Sequence, residues 1–224
     1  MKLGCVFTQT SCDDNGRALR DEDSTSYTGA IEDAAAFGRR IWSEALRRGW
    51  RRARKKVVIG DGASWIWNLS HEYFPGAVEI VDLYHAREHL WGLAAKLFPR
   101  DEKRRCGWAR RLKKKLDAGR IEPLVAALRS FETQDAELAH QLLLEADYFQ
   151  RNAERMRYDE FRRQGLFVGS GVIEAGCRMV IASRLKRSGM FWSVRDANAI
   201  VALRCARLTR RRFDDYWDNR ARAA

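Results

Sequence analysis

The chain has 224 residues, 46% of them apolar and 32% charged, a balance that excludes an intrinsically disordered chain and allows one or two domains with a real core. Lys and Arg number 42 against 30 Asp and Glu, a formal charge of +12, which favours a polyanionic partner: nucleic acid first, with a membrane surface as competitor. Five cysteines without a C-x-x-C pair exclude a disulfide framework. With neither a signal peptide nor an apolar run of bilayer length, the expectation is a cytoplasmic, nucleoid-associated protein with reduced thiols and no membrane partner.

Lys2 to Gln9 (KLGCVFTQ) is rich in β-branched and aromatic types and predicts a strand, followed by the turn residues Asp13-Asp14-Asn15-Gly16. Ala30, Ala34, Phe37, Ile41 and Ala45 recur at helical spacing and predict an amphipathic helix over 30–49. It runs into RRGWRRARKK (47–56), with seven basic residues in ten. Val57-Val58-Ile59 predicts a buried strand closing at Gly60-Asp61-Gly62. SWIWNLSHEYF (64–74) predicts a helix capped by Ser64 and stopped before Pro75-Gly76. AVEIVD (77–82) predicts a second buried strand, and His85 to Phe98 a helix halted by Pro99.

This alternation argues an α/β core with parallel pairing over 1–99. Residues 100–160 are helix-rich and charged, opening with KRRCGWARRLKKK (103–115), and predict an all-helical insertion. The core resumes over 161–213, through the Gly-rich stretch 165–171 and helices at about 172–187 and 195–213, with 214–224 as a tail. Of the eight tryptophans, most are expected in the core, and several stand beside basic residues where stacking on bases is an alternative.

Two patterns carry chemistry. His85-Ala-Arg-Glu88-His89 matches H-x-x-E-H, a zinc peptidase pattern that needs a third ligand. Separately, Asp61 and Asp82 end two strands, and Glu174 sits in the first turn of the helix after the Gly-rich loop. In an α/β sheet such positions gather at one rim, where carboxylates suit hard cations. Each has a bland reading as well: Asp61 as a turn residue, Asp82 as a helix cap, Glu174 paired with Arg178.

KKVVIGDGASWIWNLSHEYFPGAVEIVDLYHAREHLWGLAAKLFP (55–99) and FRRQGLFVGSGVIEAGCRMVIASRLKRSGMFWSVRDANAIVALRCARL (161–208) resemble two blocks of Kra-type bacterial insertion-sequence transposases, of the mutator-like DDE group. The resemblance implies a ribonuclease H-like core interrupted by an all-helical insertion. It implies Asp61 and Glu174 as catalytic, metal-binding acids for Mg²⁺ or Mn²⁺. Asp82 to His85 match the D-x-x-H element, with His85 near DNA or the scissile phosphate. The 113 residues from Asp61 to Glu174 fit such an insertion. The family places a further aspartate on a strand upstream of Lys2, so the expectation is a truncated copy with an incomplete triad and little activity alone.

Expected partners are transposon-end and target DNA, a second copy, or an intact transposase. The expected DNA contacts are Arg51, Arg52, Arg54, Lys55, Lys113, Lys114, Arg184, Lys186, Arg187 and Trp192. The rival from another class is a DNA-binding remnant without catalysis; the zinc peptidase is a remote third.

Overall fold

Ser26–Ala30 (β4) is buried along its whole length and pairs antiparallel with Lys2–Val6 (β1), Lys2 opposite Ala30 and Val6 opposite Ser26. The computed structural model describes residues 1–186, 188–209 and 212–222. Between these strands lies a small hairpin, Ser11–Cys12 (β2) and Ala18–Leu19 (β3). Its turn is the expected one: the Gly16 amide donates to the Asp13 carbonyl, and the Asp13 side chain accepts from the Asn15 and Arg17 amides.

The first strand stops at Val6 rather than Gln9, and the helix expected from residue 30 begins later, as α1 (Ala34–Arg47). Asp33 sets that boundary by accepting the Ala36 amide at 2.7 Å, while Ala30 belongs to β4. Phe37 and Ile41 of α1 fill the space over Gly4, where a Cβ would lie 2.8 Å from Ile41 Cδ1.

Val57–Gly60 (β5) and Val78–Val81 (β6) form the expected parallel pair, with Val57 opposite Val78 and Gly60 opposite Val81. The connecting helix α2 (Ser64–Tyr73) packs on α1 through Phe37–Trp65, Trp42–Phe74 and the close approach of Gly38 to Leu69 and Tyr73. Ser64 does not cap this helix. It is the first helical residue, Ala63 takes the cap position, and the Asp61 side chain meets the Ala63 amide instead. Among the described residues β1 pairs only with β4 and β5 only with β6, so the strands form separate two-stranded sheets within a mixed α/β fold dominated by helix.

The region over 100–160 is helical as expected: α3 (Leu83–Leu97) leads into α4 (Glu102–Asp117), α5 (Ile121–Arg129), α6 (Ala136–Arg151), a 3₁₀ turn (Ala153–Met156) and α7 (Tyr158–Arg163). It is no detached module. Ile80, Val81 and Leu90 share one continuous apolar core with Leu112, Leu124, Phe149 and Tyr158. Trp67 and Trp108 are buried there, whereas Trp192 and Trp217 are exposed.

After the Gly-rich stretch come α8 (Gly171–Gly176), a π-helical segment (Cys177–Ala182), α9 (Ser183–Leu185) and α10 (Val194–Leu208). Residues expected as a tail belong to a helix, α11 (Arg212–Arg222). A second core of Tyr27, Val180, Val201 and Cys205 joins α10 to β4. The Tyr27 amide donates to Thr209 Oγ1 and the Ile31 amide to Asn198 Oδ1, which locks that union. Among the described residues no helix is long and apolar enough to cross a membrane.

Candidate functional site

Strand register brings Asp61 and Asp82 to the same rim. Gly60 lies opposite Val81, each acid follows its strand by one residue, and the Asp82 amide donates to the Gly60 carbonyl at 2.7 Å. Their surroundings differ. Asp61 is exposed, with Oδ1 accepting from the Ala63 amide at 2.9 Å, the turn role of its bland reading. Asp82 is 2% exposed and both of its carboxylate oxygens are taken: Oδ1 by the His85 amide at 2.8 Å, capping α3, and Oδ2 by the Ser170 amide.

That second bond fastens the Gly-rich stretch to the rim. The Leu83 amide also donates to Val168, and Gly169 packs directly against the ring of Tyr84. Ser170 then opens α8, its carbonyl accepting the Ile173 amide at 2.7 Å and the Glu174 amide at 3.2 Å. Glu174 thus stands one turn beyond the residue that Asp82 holds. Its exposed carboxylate makes no hydrogen bond or ion pair among the described residues, so the Arg178 pair allowed by spacing does not form.

A group that the sequence did not reveal supports this rim from the helical region. Tyr148 of α6 donates its hydroxyl to the Asp61 carbonyl at 3.1 Å. His89 stacks on the Tyr148 ring, centroids 4.2 Å apart and 12° between planes, and His89 Nδ1 lies 2.8 Å from Glu145 Oε2. Gly62, at φ +95°, sits so close that a Cβ there would lie 2.7 Å from the Tyr148 hydroxyl. Burial, then the charges of Asp61, Glu145 and Asp82, hold the Tyr148 phenol well above its usual pKa, keeping it a protonated donor. The i, i+3 spacing of Glu145 and Tyr148 on a helix was the available signal, but nothing local tied it to residue 61.

His85 and His89 meet edge to face, ring centroids 5.0 Å apart and 82° between planes. His85 Nδ1 lies 3.4 Å from Glu88 Oε2, and His89 serves Glu145. Asp61 and Glu174 offer the hard oxygen donors that Mg²⁺ or Mn²⁺ prefers. The number of donors falls short, however: among the described residues no three His, Cys, Asp or Glu side chains converge as metal ligands. Asp82, 2% exposed and already accepting one backbone amide on each oxygen, is not among a converging set.

The expected DNA contacts vary in availability. Arg51, Arg52, Arg54 and Lys55 are exposed, and Lys55 Nζ reaches the Gln164 carbonyl at 3.2 Å. Lys113 is engaged, 2.7 Å from Asp117, whose other oxygen binds Arg87 at 2.9 Å; Lys114 is exposed. Arg184, Lys186 and Trp192 are exposed, and Arg187 lies outside the described residues. Comparison with protein families, with curated proteins and with solved structures gives no match to this chain.

Proposed function

We propose that the chain is the ribonuclease H-like core of a DDE-type transposase, binding DNA through its basic surface and bearing part of a metal-dependent phosphoryl-transfer site. The observation that carries the reading is the parallel β5–β6 register, which sets Asp61 and Asp82 side by side at one rim, with Glu174 one turn past the residue Asp82 clamps. Asp61 and Glu174 are the acids with oxygens to offer a cation, and Asp82 is the brace that fixes where they stand. The formal charge of +12 suits the partner.

A binding-only reading has its own support, the absence of three converging ligands among the described residues. Both readings predict DNA affinity that falls at least about tenfold between about 50 and about 200 mM salt, through counterion release. Nicking assays on transposon-end DNA with Mg²⁺ or Mn²⁺ separate them. Weak cleavage that vanishes in Asp61→Ala and Glu174→Ala, with binding kept, supports the enzyme. Binding without cleavage supports the remnant, and affinity insensitive to salt refutes both.

A further inference from the structure

Between α9 and α10 the chain turns through Met190, Phe191 and Trp192, and Phe191 is 97% exposed, the barest large apolar side chain among the described residues. Beside it lies a hollow of about 300 Å³ walled by Trp192, Leu203 and Phe213 together with Arg184, Arg204 and Arg207. Arg204 gives the hollow a fixed wall. Its guanidinium donates to the Met179 carbonyl at 2.5 and 3.1 Å and to Ser183 Oγ at 3.1 Å, tying α10 to the preceding helical segment. Arg184 and Arg207 make no hydrogen bond or ion pair among the described residues. The nearby acid Asp196 is occupied at the start of α10, where Ser193 Oγ donates to its carboxylate at 2.7 Å.

An aromatic face left in water beside cations that have no anionic partner among the described residues fits a ligand that is flat and apolar on one side and negatively charged on the other. Nucleotides have that chemistry, but a duplex hides its base faces in the stack. An unpaired nucleotide shows both, and stacking on an aromatic ring needs no particular base.

We infer that this hollow takes an unpaired nucleobase of single-stranded DNA against Trp192, which walls it, with the next unpaired base on the exposed ring of Phe191 outside it and the flanking phosphates on Arg184 and Arg207. The inference rests on reading the chain as a DNA-binding protein and adds the strand state it recognises.

The test measures affinity of the full chain by fluorescence anisotropy for a blunt duplex and for the same duplex with an unpaired tail. The tailed duplex binds about tenfold tighter, the scale of one or two stacked bases. Phe191→Ala removes most of that preference and leaves blunt-duplex affinity unchanged, while Phe191→Tyr, which keeps a ring, retains it. Circular dichroism confirms that the variants keep their fold.

Equal affinity for the two duplexes, or a tail preference indifferent to Phe191→Ala, overturns the inference and leaves the proposed function standing. Failure to bind any DNA overturns both. Phe191-dependent binding to phosphatidylserine vesicles without a tail preference assigns the patch to a lipid surface, which also overturns it.

Discussion

Asp61 and Asp82 leave neighbouring strands side by side, yet substitution separates their roles. Asp82→Ala removes the α3 cap and leaves the Ser170 amide without its acceptor at a buried point, so about 2–4 kcal/mol of stability is lost. Asp61→Ala gives up one exposed turn contact and costs less than about 1 kcal/mol. Urea denaturation of the two variants checks the difference; equal losses would contradict the brace assigned to Asp82. Two glycines give a similar contrast. Gly62→Ala meets both a left-handed backbone and the Tyr148 hydroxyl, and destabilises by at least about 1 kcal/mol. Gly92→Ala, on the exposed face of α3 with nothing near its new Cβ, stabilises by about 0.5–1 kcal/mol. Thermal melts of both variants should move in opposite directions. At this scale the sequence marked Asp61 and Asp82 through strand ends and turn composition. It did not mark Tyr148, because that contact joins residues 87 apart in the chain and depends on how α6 docks.

Among the elements, the helices were legible where apolar residues repeat along them, but of the capping acids Asp33, Asp82, Asp101 and Asp135 the sequence pattern marked only Asp82, so the start of α1 was placed too early. β4 was not legible. SYTGA is short and half polar, and its burial comes from partners far along the chain, Thr209 on the Tyr27 amide and Asn198 just beyond the strand. Nor did helical periodicity reveal that the region over 100–160 shares the core of β6 and α3. Phe149→Ala is expected to cost about 3–5 kcal/mol and to loosen β6 as well as α6. Hydrogen exchange at Ile80 reports whether that coupling is real. The same region carries an acid-sensitive tie. Hydrogen bonding to Arg157 pulls the Glu122 carboxyl down to about 2 from an ordinary value of 4.5. A depressed carboxylate contributes fully above the unfolded value, and its contribution is lost as pH falls from about 4.5 through about 2. Exposure to solvent keeps this contribution under about 1 kcal/mol. Arg157→Ala should therefore melt closer to wild type at pH 2 than at pH 5.

At the scale of the whole molecule, the surplus of basic residues was plain from composition, whereas the separation of the sheets was not, since the strand-like runs carry no record of what lies beside them. That separation has a kinetic consequence. Val78 donates to Lys56 and Asp82 to Gly60, so alternate residues of β5 face β6, and Val57 and Ile59 turn their amides the other way, toward an edge with no strand among the described residues. Deuterium should enter β5 in alternation, fast at Val57 and Ile59 and slow at Val58 and Gly60. Any chain that aligned along that edge would slow the fast pair and leave the slow pair unaltered, so two amides on the open side of β5 would report the arrival of a neighbour.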